Sequence, residues 1–596
     1  MKNKFFASVL LIFLAVSVFG QTVHNPNSEL YRDIDLWVVQ GYIRTFLPMI
    51  RPYPTQLILR ILDEVIENGS ADAQQRAARY RDMLAPGSRV FNPGVLSHVQ
   101  GGNREPEQVL GQHEVREGGS GNRNFILAPF VEGNFFINNL LSASYNFTAY
   151  GITDTSGERF NVPGTYSPFP DFITDIADIG SFAMRQSWTA LTAFGTSDTY
   201  LQAGLSRSSV GPFFDNGAVV GPQAPRHGHI GFVFWRPQWS FEMLLQVITA
   251  TDDFGIIRSN ADLFPDKFNI IHYLSFRPIQ NLEFGLVQAQ VFGGRMELMY
   301  LVPFSFLFHT QSIFGFEDNA FLGFHMRWRP FNTLLLKGQV YIDDFHFNNF
   351  LAGSIQAKAA GQAGVSWAPR RSFLSRLDFD YTMILPYTFS HWCHHPRDRW
   401  NGAYTGDGRP YLGNAMNPGA YNRRPNLKNY THMGRNIGPD LQPNSDRLSL
   451  RTRWNITPGI NINLSAYLIR HGNASYGQDR LDREYRDGSI FDCGTRDHWL
   501  NGNVRNDRII LGFSDFLTQP VIETRLGGGI GVTWTIPTAF GTFALIGEYG
   551  AEQGWNRSMR TGDPRLSDGI NWAQGGPQRG NNSLYHFWSI GGRWSW

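Results

Sequence analysis

His391-Trp392-Cys393-His394-His395 gathers three imidazoles and a thiol within five residues, the ligand types of a zinc or copper site. Two carboxylate pairs, Asp252-Asp253 and Asp343-Asp344, have the composition of an acid–base dyad or a calcium site. Neither grouping is completed elsewhere in the chain. The histidine-rich run has no second matching cluster. Both acidic pairs stand at the ends of alternating segments, where solvated carboxylates are common. No P-loop, HExxH or GxSxG occurs. Gly527-Gly528-Gly529 lies inside an alternating segment and reads as a bend in a sheet rather than a phosphate cradle. The expectation is therefore no enzyme, no metal site and no cofactor. A net charge of +2 gives no basis for nucleic-acid binding.

A clearer pattern is carried by charges spaced two apart. LDFDYTM sets Leu377, Phe379 and Tyr381 against Asp378 and Asp380. RLSLRTRWNI sets Leu448, Leu450, Trp454 and Ile456 against Arg451 and Arg453. TLLLKGQVYID opposes Leu334, Leu336, Val340 and Ile342 to Lys337, Gln339, Tyr341 and Asp343. Such period-two alternation marks a half-buried strand. Along the chain, the same parity puts Glu283, His325, Arg327, Lys337, Asp343, Arg376, Asp378, Asp380, Arg451 and Arg453 on one face. Two uses of these charges are open. Opposite signs can pair across an enclosed space. Alternatively, they can meet an acidic glycan: after residue 20 lysine occurs only at 267, 337, 358 and 428, and the planar fork of arginine suits carboxylate or phosphate.

The connections that position these segments alternate in length. Short ones are Asn138-Asn139, 195–199, 236–238, 277–280, 329–332, 368–372, 457–459 and 537–541. Long polar ones lie between them, notably 391–445, 473–504 and 554–582. Eight short and nine long connections join eighteen strands. Aromatics are 14% of the chain, charged residues only 17%, and no apolar run after residue 20 is long enough for a membrane helix. Together these features predict an all-β fold, a transmembrane antiparallel barrel of the outer-membrane type over 89–596. Short turns are expected at the periplasm and long loops outside the cell. The Arg-Pro pairs at 236–237, 277–278 and 329–330 suit strand ends, with arginine reaching lipid headgroups or the periplasm. Residues 583–596, ending in SIGGRWSW, read as the closing strand, with Leu584, Trp588, Ile590, Trp594 and Trp596 towards lipid. Its terminal aromatics also suit recognition by the machinery that assembles outer-membrane barrels.

Two pieces precede the barrel. Residues 1–20 read as a signal peptide, with a basic start and an apolar run at 5–19. Residues 21–88 read as a small helical periplasmic segment, in which Leu57, Ile58, Ile61 and Val65 share a face and Ser70 caps a following helix. Cys393 and Cys493 both fall in long loops, compatible with one disulfide or with two free thiols.

Four stretches follow one another in an order that resembles the capsule-assembly Wzi family: FNIIHYLSFRPIQNLEFGLVQAQVFGG, YLVPFSFLF, FEDNAFLGFHMRWRP and LLLKGQVYIDDF, between Phe268 and Phe345. LWVVQGYIRTFLP is similar to the family's periplasmic helical segment. The upstream LQAGLSRSSVGPFFDNG is similar to the family's glycine-proline segment, from which Ser208 and Ser209 depart, standing where a Trp-Gly-Pro pattern is expected. The resemblance implies eighteen strands, a helical periplasmic piece and a lectin-like role in attaching or organising surface polysaccharide. It also implies Asp318, Asn319, Asp343 and Asp344 as the matching polar positions. Trp392, Trp400, Tyr404, Tyr411, Tyr421 and Tyr430 have ring faces suited to stacking on sugars or to packing their own loop. The alternative is a porin or substrate-specific channel, since eighteen strands leave a lumen. The loops, or the apolar YLVPFSFLF insert, would then decide whether that lumen is plugged. The partners expected are outer-membrane lipid, surface polysaccharide and the barrel-assembly machinery.

The map of short and long connections is tested with epitope tags inserted at Gly406 and at Gln238. On intact cells the tag at Gly406 should be labelled and the tag at Gln238 silent; the reverse result would sink the map.

Overall fold

The structure, a computed structural model, describes residues 25–84, 90–102, 123–137, 140–153, 174–179, 182–252, 267–315, 318–345, 357–370, 372–391, 425–433, 435–457, 459–472, 516–538, 541–557, 577 and 579–595. Eighteen strands close into one antiparallel barrel. In chain order they are β1 (Asn92–Gly102), β2 (Arg123–Ile137), β3 (Leu141–Thr153), β4 (Phe182–Gly195), β5 (Thr199–Ser206), β6 (His227–Trp235), β7 (Trp239–Ile248), β8 (Lys267–Ile279), β9 (Leu282–Gly293), β10 (Asn319–Phe331), β11 (Leu334–Phe345), β12 (Ala357–Trp367), β13 (Leu374–Ile384), β14 (Ser445–Thr457), β15 (Ile460–Gly472), β16 (Ile522–Thr538), β17 (Gly541–Trp555) and β18 (Ser583–Ser595). A short strand, Thr174–Ile179, pairs with one end of β4. The last strand closes on the first, with Val95 opposite Trp594 and Val99 opposite Ile590. Closure leaves no strand edge to be satisfied in hydrocarbon. Short and long connections alternate around the barrel as the turn residues predict.

Cross-strand register fixes which way each side chain points. Leu274, Phe276, Phe324, Trp328, Val340, Phe379, Leu450, Ile530, Trp534, Leu584 and Ile590 are exposed on the outer face. Among the described residues no helix is long and apolar enough to cross a membrane; the strands do the crossing. Register shifts between Phe276 and Ile279, and between Trp328 and Phe331, place Pro278 and Pro330 at bulges, where a missing N–H is tolerated. Their preceding arginines correct the expectation drawn from sequence. Arg277 and Arg329 share the inward parity of Tyr273 and His325, are 3% and 5% exposed, and reach into the lumen rather than towards headgroups.

The lumen is filled in two storeys. At the short-turn rim sit helices α1 (Glu29–Val39), α2 (Thr55–Asn68) and α3 (Ala71–Leu84). Ile58, Ile61, Leu62 and Val65 line one face of α2, Pro54 precedes it and Gly69 ends it. Ser70 accepts from the backbone N–H of Ala73 at the start of α3 (3.4 Å). The helices share one core with Leu191, Tyr200, Val233, Trp235, Leu335 and Ala368 of the barrel wall. Above them, the connections after β5 and before β14 dip inward. Val210, Ala218, Val220, Tyr430, Ile437 and Leu441 pack there against Leu244, Ile271, Tyr273, Phe321, Tyr341 and Ile384. Ile50–Arg51 pairs with Ser209–Val210 and so ties the two storeys together.

The YLVPFSFLF insert takes no part in this filling. It lies on the outer wall, where Tyr300 and Leu307 join Phe241, Met243 and Phe268. Gly527 of the triple glycine does more than bend a strand. A Cβ there would stand 2.3 Å from the hydroxyl of Tyr467, which lies across it to donate to Glu552 (2.8 Å).

A charge placed on the lipid face should be costly. Ile590, near the middle of β18, is 65% exposed there. Ile590→Arg is expected to destabilise the barrel by about 2–4 kcal/mol at mid-membrane depth, read as a lowered urea midpoint in lipid vesicles. Alternation alone would make Ser589→Arg the milder change. Ser589 is instead buried against His98 (Oγ to Nδ1 3.1 Å), so overpacking should make that variant costly too.

Candidate functional site

The inner wall carries the polar residues, and their first task is to hold the helices. Beyond α1 the chain leaves backbone carbonyls without helical partners. Arg329 answers with its fork, donating from Nη1 to Val38 O (2.7 Å) and Ile43 O (2.8 Å) and from Nη2 to Arg44 O (2.6 Å). Arg327 donates to Leu47 O (2.9 Å) and Arg370 to Gln40 O (2.7 Å). Glu242 supplies the complementary acceptor, taking the N–H groups of Met49 (2.8 Å) and Ile50 (2.9 Å). Arg453 of β14 reaches Glu29 and Asp33 of α1, both at 2.9 Å. Burial raises the Glu29 carboxyl, but Arg453 and Arg32 outweigh it and hold it below its ordinary value.

The second task is charge neutralisation. Glu283 is ion-paired with Arg277 (2.7 Å) and Arg327 (2.8 Å) and lies 3.1 Å from Nε2 of His325. Arg376 pairs with Asp378 (2.8 Å), and Asp380 pairs with Arg451 (2.5 Å) and Lys337 (3.3 Å). Of the residues read from sequence as lumenal, Glu283, Arg327, Lys337, Arg376, Asp378, Asp380, Arg451 and Arg453 lie inside and meet an opposite charge. A buried ion left alone would cost several kcal/mol, so pairing is the condition for placing them there. Gly364 makes room for this group: a Cβ would stand 2.1 Å from Asp380 Oδ1 and 2.8 Å from the Phe213 ring.

The third task is to hold the inward loops. Asp343 accepts from Phe389 N–H (2.7 Å) and lies 3.4 Å from Lys358 Nζ, which also donates to Ser390 O (3.0 Å). Asn319 donates to Lys428 O (2.9 Å). Lys267 donates to Asn429 Oδ1 (2.7 Å) and Thr431 O (2.9 Å). Tyr430 donates to Val219 O (2.6 Å) and stacks on Phe389 with centroids 5.3 Å apart. It is loop packing, not a platform for sugar. The four lysines beyond residue 20 are all buried: Lys267, Lys337, Lys358 and Lys428 are between 0% and 8% exposed.

The four polar positions implied by the Wzi resemblance do not converge. Asn319 and Asp343 are inside and engaged by loop backbone. Asp318 is on the other side of the wall, buried beneath the outer insert by Arg295 (2.5 Å) and the Tyr300 hydroxyl (2.8 Å). Adjacent residues entering a strand face opposite ways, which is why neighbours in sequence are separated here. The side chain of Asp344 lies outside the described residues, as do Trp392, Trp400, Tyr404, Tyr411, Tyr421, Cys393 and Cys493. Of the histidine-rich run only His391 is described. Sequence reading missed Arg329 and Glu242 as anchors and Arg277 as a partner of Glu283. Their inward parity was the available signal.

No protein-family model and no curated protein matches the chain. Among solved structures it is similar to Wzi of Escherichia coli, described as an outer-membrane protein involved in group 1 capsule assembly and a carbohydrate-binding β-barrel. The match covers 97% of this chain and 99% of that one, with a TM-score of 0.52 and 12% identity. Our chain is an outer-membrane β-barrel. It also aligns with OpdL and OpdQ of Pseudomonas aeruginosa, at 10% and 9% identity and TM-scores of 0.40 and 0.38, over 85% of this chain and 98% and 97% of those chains. At such identities the likeness to all three is one of fold alone.

The helical anchor is testable within the barrel. Arg329→Ala would remove a donor from three carbonyls, of which Val38 O keeps the Gly41 N–H (3.2 Å), at about 1–3 kcal/mol for each buried group that stays unsatisfied. Hydrogen exchange of residues 29–68 should speed up, while the strands keep their protection. Unchanged exchange in the helices would mean that Arg329 does not hold them.

Proposed function

We propose that this outer-membrane barrel binds or organises surface glycan, a capsular or exopolysaccharide, and that its role is binding rather than catalysis or bulk permeation. The observation that carries the reading is the filled lumen. Helices occupy the short-turn rim, and two inward loops pack the space above them. Wall residues that could otherwise line an aqueous path are spent on holding these pieces. A barrel so occupied is suited to presenting a surface at its long-loop rim. In this reading the aromatic side chains Trp392, Trp400, Tyr404 and Tyr411 of the long connection 391–445 stack on the sugar rings. Outside the lumen the positive charge is arginine, the side chain suited to acidic sugars. A signal peptide at 1–20 and assembly through the C-terminal strand belong to the same reading.

One observation favours a substrate-specific channel instead. Asn461, Asn463 and Ser465 of β15 and Glu548 of β17 face inward by register and are only half-buried. The β15–β17 side of the lumen is thus less tightly filled than the rest.

Two measurements on the purified protein separate the readings. Arrays of capsular polysaccharides and exopolysaccharides should give saturable binding, and planar bilayers should show no large stable conductance. A steady conductance without glycan binding would overturn the proposal in favour of a channel.

A further inference from the structure

The connection between β9 and β10 starts and ends at the long-loop rim, yet it does not stay there. After Gly293 it turns back over the outside of β7–β9, through a 3-10 turn at Leu298–Leu301 and a short helix, α4 (Leu307–Phe314). The Phe304 ring lies 4.2 Å from Phe241 and 6.4 Å from Trp239, the first residue of β7, beside a short turn. Tyr300 and Leu307 are buried with Met243, Leu245, Phe268 and Phe292 of the outer wall. The segment therefore spans most of the height of the barrel on its membrane side.

The wall beneath it is unusual. His272, Gln288 and Gln290 share the outward parity of Leu274 and Phe284, where alternation calls for apolar residues, yet all three are buried. Gln288 shows why. Its Nε2 donates to Ser305 O (2.5 Å) and its Oε1 accepts from Leu307 N–H (2.9 Å). These are the backbone groups at the break between the two helical turns. Gln290 donates to Gln311 Oε1 (3.0 Å), and Gln311 donates to Asp318 O (2.8 Å). Irregular backbone is tolerated at membrane depth only where protein satisfies it, and the outward glutamines do this.

The opposite side of the segment is apolar. Leu298, Phe304, Phe308 and Ile313 are 60–67% exposed, and Met299, Val302, Phe306 and Phe314 are exposed beside them. The hydroxyls of Thr310 and Ser312 turn back on Phe306 O (3.2 Å) and Phe308 O (2.9 Å), and His309 is the one ionisable side chain exposed on α4. An apolar patch of this extent is out of place on a water-bathed loop. It is continuous with the exposed wall residues Trp239, Leu274, Phe276 and Phe284.

We propose that residues 295–315 form a strap immersed in the membrane, clasped by Gln288 and Gln290, whose outer face is occupied by the hydrocarbon chains of bilayer lipid. Continuity with the barrel's own lipid belt argues for that occupant over a second copy of the chain.

The test uses the full barrel in phospholipid vesicles, with Cys393→Ser and Cys493→Ser as background. Spin labels are attached to Phe304→Cys, Phe308→Cys and Ile313→Cys, with Leu274→Cys as the lipid reference and Gln238→Cys as the water reference. Collision with oxygen relative to a water-soluble nickel chelate should match Leu274 and exceed Gln238 several-fold at all three positions. A ratio like that of Gln238 would make the segment an aqueous loop and overturn the proposal. Low access to both reagents with dipolar broadening would mean a second copy covers the strap, and would overturn lipid as its occupant. Gln288→Leu, with the barrel shown closed by heat-modifiable migration, should release the clasp and raise the mobility of a label at Phe306→Cys. Unchanged mobility would remove Gln288 from the mechanism.

Discussion

Closure of β18 on β1 leaves every strand residue with two destinations, hydrocarbon outside or the lumen inside. All else in the molecule follows from how each side is settled. Outside, apolar side chains suffice, and where they do not, a strap covers the exceptions. Inside, polar side chains cannot be left facing one another without partners, because a buried unpaired charge or amide is expensive. The chain's answer is to bring its own backbone into the barrel. Helices and loops enter, and the wall spends its arginines, carboxylates and amides on them.

That exchange accounts for the character of the inner wall. Arg329 and Glu242 are opposite in charge but alike in use, one serving carbonyls and the other N–H groups of the chain that enters the barrel. Glu283 gathers two guanidiniums and an imidazole around a single carboxylate. The barrel and its contents are thus one folding problem. The core around α1 and α2 includes wall residues such as Trp235 and Leu335, and removing either part exposes the other.

Parity was legible in the sequence, and with it the strands, the turns and the inward set from Glu283 to Arg453. Destinations of the long connections were not. A Gly- and Pro-rich stretch such as 207–226 reads equally well as a surface loop, and only its pairing with Ile50–Arg51 and its contact with Tyr430 send it inward. The contact between Asn319 and Lys428 spans a separation that no local pattern reports. Asp318 and Asn319 look like one polar site when read as neighbours. The wall separates them, because backbone alternation overrides shared chemistry. The Arg-Pro pairs were read from the demands of proline at the turn, whereas Arg329 is held inside by the helical segment it serves and Arg277 by Glu283.

The burial of every lysine beyond residue 20 carries a consequence of its own. Among side chains, all the primary amines of this barrel are kept behind its wall. Reagents that acylate amines at a cell surface would pass the closed molecule by, whatever its abundance. The same four groups then become interior sentinels: Lys358 and Lys267 hold the inward loops by their carbonyls, so their reactivity would appear only when those loops leave the lumen. Opening of this barrel would be written in amine chemistry before it was visible in any change of its strands.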